Sequence, residues 1–568
     1  MFFQQYYLDC LSQASYLVGD TTTGRAVVVD PRRDVEEYLA DAAEAGLTIT
    51  HVIETHFHAD FLSGHLELAA ATGATIVYGK AAEGRVEFPV ELLGDGDHLS
   101  LGEVDLEILE TPGHTPESIS IVVREHGPTS EPFGVLTGDT LFIGDVGRPD
   151  LLAAAGMSAD ELAHQLYSSL HDKLLALPDA TKVFPAHGAG SACGKSLSTE
   201  TVSTIGEQRE TNYALAPMVV EDFVDAVTQG QSVAPLYFAF AANRNREDRP
   251  LLGDDVTVPE LSIDEVREAQ SDGAVLIDTR DDRTFATGHL RGSIDIGLGG
   301  RFAEYAGEVM EPGTPVVLVT DPGTEAEART RLARIGFDEV VGALDDPMAV
   351  FLDHPEEVDR LSRLSADQLA ERIRSVPDLV VIDVRNPGET ALGTVPGARA
   401  ISLPSLLRSL DELDPSAPTV VYCQGGYRSA IASSLLRAHG FTDVSDLLGG
   451  YEAWAARLRG EAPSIDVDTV AADTELFRLD VREDDEWEAG RAPDSVHIPL
   501  GELAERLDEM PTDRRIAVIC RSGNRSGRAT SFLVDRAIDA VNTTGGMKAW
   551  AAAGHPVVDD AGPNGTVI

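Results

Sequence analysis

The chain has 568 residues, too many for one core; at roughly 150 residues per domain it predicts about four domains. Lys plus Arg number 44 against 95 Asp plus Glu, a formal net charge of −51, and lysine occurs only at Lys80, Lys173, Lys182, Lys195 and Lys548. So acidic a surface argues against nucleic-acid backbones and anionic membranes as partners. Two origins stay open: a salt-rich cytoplasm, where carboxylates keep the surface hydrated and self-repulsion is screened, or a high-GC genome.

Residues 1–30 alternate apolar and polar positions around turn residues and predict a hairpin. Asp34 to Ala45 predicts an amphipathic helix stopped by Gly46. The β-branched run at His51-Val52-Ile53 predicts a buried strand, and I-E-T-H-F-H-A-D-F-L-S-G-H follows it. His56, His58 and Asp60 stand two apart just past that strand, so imidazoles and a carboxylate share one space. Helices are expected near Gly64–Thr72 and Ser158–Leu175. Three further motifs each follow an apolar run: T-P-G-H-T with His114, T-G-D-T with Asp139, and P-A-H-G with His187. The charged run Asn243–Pro250 reads as a domain boundary. No apolar run approaches the ~18 residues of a membrane span. The first ten residues lack a basic n-region and a cleavage site, so no secretory signal and a cytoplasmic location are expected. Cys10, Cys193, Cys423 and Cys520 lie far apart without C-x-x-C spacing and read as thiols.

The four histidine and aspartate motifs, in this order, resemble the metallo-β-lactamase superfamily over about residues 1–250. The resemblance implies an αββα sandwich with ligands presented from loops at one edge. Its dinuclear hydrolases use H-x-H-x-D-H; the last position here is Phe61, whose phenyl ring cannot ligate. Either Phe61 packs the wall and another group substitutes, or the site is mononuclear, the reading favoured here. The superfamily's persulfide dioxygenases hold one iron, and similarity to them implies His56, His114 and Asp139 as ligands of one Fe(II) per chain. Two histidines and a carboxylate on one face suit non-haem iron; zinc, the alternative metal, has no redox step. His58, Asp60 and His187 would then orient ligands and substrate. His65, His98, His126, His164 and His171 fit no ligand spacing. Arg148, in G-D-V-G-R-P-D, either binds the carboxylate of a small thiol or pins its loop through Asp150. Cys193, six residues after His187, is either a sulfur relay or a structural thiol.

Beyond residue 255 the chain repeats at roughly 100 residues, a domain-sized period. Strands end in Asp278-Thr279-Arg280, Asp383-Val384-Arg385 and Asp480-Val481-Arg482, and alternate with helices, which implies parallel sheets. The second and third copies carry Cys423 and Cys520 between a strand and a helix, each with a later Gly-Gly element leading to Trp454 or Trp550. A cysteine before a helix N-terminus meets backbone N–H groups and the positive dipole end, which favour a thiolate. The loops Cys423–Arg428 and Cys520–Arg525 have this design, each closing on an arginine that caps an anion. Arg521 adds a second guanidinium beside Cys520 and should favour small dianions there. In the first copy Asp321-Pro322-Gly323-Thr324-Glu325 replaces the loop, so that copy is expected to be silent. The D-V-R, P-G-A and C-x-x-x-x-R set resembles rhodanese domains, three in tandem.

The expected architecture is therefore multidomain α/β. Residues 1–204 form the iron domain, 205–255 a connector completing it, and 256–355, 361–460 and 465–560 three rhodanese-like domains. The resemblance implies a persulfide dioxygenase–sulfurtransferase. It would use a low-molecular-weight thiol persulfide, dioxygen, sulfite and thiosulfate, with no nucleic acid and no membrane; a homo-oligomer is left open. The rivals are a glyoxalase-II-like dinuclear thioester hydrolase and a non-oxidising sulfane-sulfur relay.

Overall fold

The computed structural model describes the chain except residues 152–156, 196, 254–256, 460–462, 505, 512–513, 535, 537, 560–561, 563–564 and 568. The expected boundaries at 255–256, 460 and 560 thus lie outside the described residues. The chain forms two compact units, Met1–Arg360 with Asn386–Leu392 and Ser402–Glu412, and Leu361–Arg385 with Gly393–Ile401 and Leu413–Ile568.

The first unit opens with two six-stranded sheets. In the first, Phe2–Leu8, Gln13–Asp20 and Arg25–Val29 run antiparallel, as the alternating pattern predicts, and Thr48–Ile53, Thr75–Gly79 and Glu91–Leu93 extend it in parallel. The second contains His98–Ser100, Asp105–Glu110, Ile119–Arg124, Pro132–Gly138, Lys182–Pro185 and Ser203–Thr204. Period-two alternation sends Tyr16, Val18, Val27 and Val29 inward to meet Ile108, Ile121, Val123 and Leu136. The intervening Leu17, Ala26 and Val28 face outward under helix Glu36–Glu44, packing on its Tyr38 and Ala42. On the opposite side, Val122, Val135 and Val183 are covered by Ala163 and Leu166 of helix Ala159–Ser168 and by Phe223 and Val227 of helix Val220–Thr228. Sheets covered on both faces explain why these strands are so continuously apolar. The two sheets with helices outside are the expected αββα sandwich.

The charged run Asn243–Pro250, within the 205–255 connector expected to complete the first domain, lies against the metal-centre loop. Asn245 is 1% and Arg249 3% exposed. The Asn245 amide donates to the carbonyls of His58 and Phe61 and accepts from Ser63 N–H. Arg249 donates bidentately to Glu67. The segment is a strap across the His56–His65 loop, with Asn245 and Arg249 as its buried anchors.

Each later repeat builds a five-stranded parallel sheet. In all three, the arginine of the Asp-x-Arg motif donates through Nε and Nη2 to the aspartate two residues before it, and Nη2 also reaches the carbonyl of Gly288, Gly393 or Gly490. These pairs are buried and bidentate, the geometry in which an ion pair fixes a chain path. The paired glycines have an equally local reason. A Cβ on Gly450 would lie 2.4 Å from the Cys423 carbonyl, and one on Gly546 2.1 Å from the Cys520 carbonyl. The following amides of Tyr451 and Met547 donate to those same carbonyls at 2.7 and 2.8 Å, bracing each cysteine loop from behind.

Candidate metal centre and cysteine loops

His56 leaves the end of strand Thr48–Ile53 with its ring already oriented. Thr55 Oγ1 donates to Asp30 Oδ2 at 2.8 Å, so the single hydroxyl proton is spent and His56 Nδ1, 2.9 Å away, donates to that oxygen. His114 Nδ1 donates to the Arg148 carbonyl at 2.9 Å, and His187 Nδ1 to the Ser12 carbonyl at 3.1 Å. Each ring therefore turns a lone pair on Nε2 inward. The three converge on Asp139. Its Oδ2 lies 3.8 Å from His56 Nε2 and 3.5 Å from His114 Nε2, and its Oδ1 lies 3.5 Å from His187 Nε2. All four residues are buried. His56 Nε2, His187 Nε2 and both Asp139 oxygens have no hydrogen-bond partner among the described residues. Buried lone pairs that face one another without protons fit a cation. His56, His114 and Asp139 bring ligand atoms within 4.8 Å of one another.

Burial sets the titration of this cluster. It depresses His56 well below the ordinary imidazole range, helped by repulsion from His58, His114 and His187, and lowers His114 to about 4. The same burial lifts Asp139 and Asp60 to about 6. His58 goes the other way. Burial opposes its charge, but Asp30 and Glu54 outweigh that and raise it well above 6.5. Its Nε2 lies 3.0 Å from Asp30 Oδ1 and 3.4 Å from Glu54 Oε2. The Phe61 ring packs beside it, centroids 4.4 Å apart. His58, Asp60 and His187 nevertheless form a second group with ligand atoms within 4.8 Å, across Asp139 from the first.

Cys193 joins this neighbourhood, its sulfur within 4.8 Å of ligand atoms of Asp139 and His187. Burial, then the charges of Asp60 and Asp139, push its thiol well above the ordinary range. Arg148 is placed as a clamp. Its Nε and Nη2 each lie 2.7 Å from Asp150, and its other contacts are the Ala192 carbonyl and Ser232. With the side chain 2% exposed and those donors engaged, the expected thiol carboxylate finds no free fork there. What Arg148 holds is the loop carrying Cys193.

Sequence reasoning missed the residues that brace the metal-centre loop at Thr55, His58, Asp60 and Phe61: Asp30, Glu54, Tyr237 and Asn245. Asp30 follows a strand, as Asp139 does, but nothing in its neighbours marks it. Tyr237 donates to the Asp60 carbonyl from 177 positions away, beyond the reach of any local pattern.

The cysteine loops follow strands Thr419–Tyr422 and Ile516–Ile519 and open helices Tyr427–Ala438 and Asn524–Val534. Gly426 N–H donates to Cys423 Sγ at 3.1 Å, and Gly523 N–H to Cys520 Sγ at 3.2 Å. Ser526 Oγ also lies 3.2 Å from Cys520 Sγ. Burial opposes the Cys520 thiolate, but Ser526 and the amides of Ser522, Gly523 and Ser526 outweigh it and lower the pKa. Arg521 is exposed and Arg428 half-buried. Arg525 differs from its expected role as an anion cap: its two terminal nitrogens bind Glu486 at 2.6 and 2.7 Å. In the first copy the loop is filled from within, since Glu325 Oε1 accepts from Gly323 N–H at 3.0 Å and lies 3.3 Å from Thr320 Oγ1.

The family described as the metallo-beta-lactamase superfamily matches residues 8–187, and the rhodanese-like domain matches residues 262–352, 365–457 and 468–553. The mitochondrial persulfide dioxygenase of Bos taurus is 30% identical over 233 residues, covering 41% of this chain and 82% of that protein. The chain belongs to the persulfide dioxygenase family of the metallo-beta-lactamase superfamily. This family member carries three rhodanese-like domains after its metal-binding domain. A hydroxyacylglutathione hydrolase of Polaromonas sp. is 36% identical over 174 residues, 30% of this chain and 61% of that protein. The crystal structure of a metallo-beta-lactamase from Staphylococcus aureus subsp. aureus COL covers 60% of this chain and 98% of its own, at 34% identity and a TM-score of 0.55.

Proposed function

We propose that the chain is a persulfide dioxygenase–sulfurtransferase that oxidises a low-molecular-weight thiol persulfide to sulfite and moves sulfane sulfur through Cys423 and Cys520. The observation that carries this reading is the buried His56, His114 and Asp139 group, whose ligand atoms lie within 4.8 Å of one another and whose His56 Nε2 and Asp139 oxygens have no hydrogen-bond partner among the described residues. Two imidazoles and one carboxylate suit one Fe(II), which when bound supplies the redox step and open positions for substrate and dioxygen. The hydrogen bonds from His56 to Thr55 and from His114 to the Arg148 carbonyl fix the tautomers that such a site needs. His58 is held by Asp30 and backed by Phe61, which favours one metal over two.

The overall change adds both atoms of dioxygen and one water oxygen to the terminal sulfur of RSSH, giving RSH, sulfite and two protons. Cys193 stands beside Asp139 as a buried thiol whose raised pKa keeps it protonated, which suits the structural role better than the relay. At the cysteine loops a persulfide on Cys423 or Cys520 passes its outer sulfur to sulfite, forming thiosulfate and returning the thiolate to the N–H groups of the loop. The Glu325 carboxylate in the first loop excludes that chemistry from the first copy.

A second reading, dinuclear hydrolysis, is favoured by the His58, Asp60 and His187 group, whose Asp60 oxygens are unpartnered. Oxygen uptake by anaerobically purified protein given glutathione persulfide separates the two. The proposal expects one dioxygen consumed per sulfite formed; thioester hydrolysis without oxygen uptake refutes it.

A further inference from the structure

The silent first copy packs directly on the loop that carries the metal-centre residues. Leu62 N–H donates to the Arg334 carbonyl at 2.7 Å. Arg33 donates to the Ala333 carbonyl and to Asp338. Helix Phe302–Val309 approaches even closer. A Cβ on Gly307 would lie 2.2 Å from the Tyr237 ring, and Tyr237 holds the Asp60 carbonyl. Three residues earlier on that helix, Glu304 is 5% exposed and its carboxylate is close enough to feel the charge of Asp60.

Arg301 caps this helix. Its Nε donates to Glu304 Oε2 at 2.5 Å and its Nη2 to Glu304 Oε1. The remaining arm, Nη1, makes no hydrogen bond among the described residues. It points at the segment between His187 and Cys193, where a Cβ on Gly190 would lie 4.0 Å from it. Gly190 has φ +101°, a path suited to glycine, and the same Cβ would lie 3.1 Å from Ser12 Oγ, so Ser12 and Arg301 face this segment together. The Arg301 side chain is 31% exposed against 6% for Glu304, so a ligand can reach it. Glu304 is matched by Arg301 itself, while Asp60 and Glu308 add further carboxylates around it. Arg148 is engaged elsewhere.

We propose that the first rhodanese-like copy is the substrate wall of the metal centre, and that Arg301 binds a carboxylate of the incoming thiol persulfide. This rests on the persulfide reading above. A guanidinium with one fork preorganised by Glu304 has lost little further freedom when Nη1 takes a carboxylate. It explains why a domain whose own loop is filled by Glu325 is packed so closely on the metal-centre loop.

The test uses full-length, iron-loaded protein and two readouts. In turnover, Arg301→Gln should raise the KM for glutathione persulfide about ten- to hundred-fold with kcat changed less than two-fold, the size of one charge-assisted contact. The KM for the persulfide of 2-mercaptoethanol, which has no carboxylate, should not move. In calorimetry, the wild type should bind glutathione at least ten-fold more tightly than glutathione diethyl ester, and Arg301→Gln should erase that preference. Arg301→Lys should restore part of it. An unchanged preference in Arg301→Gln of wild-type iron content overturns the proposal, as does a KM rise equal for both persulfides. If Arg301→Gln fails to fold, Arg301→Lys alone decides, because an intact preference with a shortened, forkless side chain also overturns it. Absence of oxygen uptake by wild type with any persulfide refutes the functional reading instead, while thiol binding still decides Arg301.

Discussion

Ser526→Ala isolates one contribution to the reactivity of Cys520. The hydroxyl oxygen lies 3.2 Å from Cys520 Sγ and 2.6 Å from Asn542 Oδ1, so its single proton has two acceptors. A hydrogen bond to a charged group contributes roughly 1.5–3 kcal/mol, and one pKa unit corresponds to about 1.36 kcal/mol. Full loss would raise the thiol by about one to two units; competition from Asn542 places the expectation near one unit. The sign follows from the folded value being lowered. The thiolate persists to lower pH in the wild type, and removing the donor moves its titration upward. Alkylation of Cys520 by iodoacetamide, followed by mass spectrometry of its peptide across pH 5–10, should be about ten-fold slower at neutral pH in the variant and recover about one unit higher. An apparent pKa that stays put or falls would show that the amides of Ser522, Gly523 and Ser526 suffice, and would refute the assignment to the hydroxyl.

Protein purified without oxygen should contain about one iron per chain; two tightly bound zinc ions in active protein would contradict a mononuclear site. His114→Ala should abolish oxygen consumption and leave thiosulfate-to-cyanide transfer within about two-fold of wild type, because the cysteine loops belong to other domains. A full-length Cys423→Ser/Cys520→Ser variant should show no transfer at all, and residual turnover would mean that the Asp321 loop is not silent. Cys520→Ser should lose most thiosulfate activity and Arg521→Gln should raise the thiosulfate KM. A whole loss on Cys423→Ser would mean that loop access outweighs charge. Asn245→Ala should lower iron retention at least ten-fold by freeing the His58 and Phe61 carbonyls; unchanged retention would show that the strap is dispensable.

What the sequence disclosed was whatever local chain geometry dictates. Strand-terminal motifs placed His56, His114, Asp139 and His187 in one space because each follows the end of a strand in one of the two stacked sheets, where a loop projects its side chains over the sheet edge. The Asp-x-Arg repeats announced three domains because a bidentate pair two residues apart needs no distant partner. Arg148 was legible only as two alternatives, and its position two residues before Asp150 made the clamp as available as the ligand site. Arg525 was misread because its partner Glu486 lies 39 residues earlier. The strap's anchors were not legible because charge and proline look alike in a solvated linker and in a packed segment, and Glu67, the partner of Arg249, lies 182 residues away.

The three repeats separate the residues that build a domain from those that carry sulfur. Arg280 keeps the same bidentate contact with Asp278 and the same reach to a glycine carbonyl as Arg385 and Arg482. The first copy therefore keeps the contact that fixes its chain path without a cysteine in its loop. Thr320 follows its strand where Cys423 and Cys520 follow theirs, and Glu325 takes from Gly323 the N–H that Gly426 and Gly523 give to sulfur. A folded surface without chemistry of its own has one further use in a chain that must guide a small anion to a buried, acid-rich centre. It supplies a wall and a cation, and helix Phe302–Val309 with Arg301 at its start is where this copy brings both to the loop before Cys193.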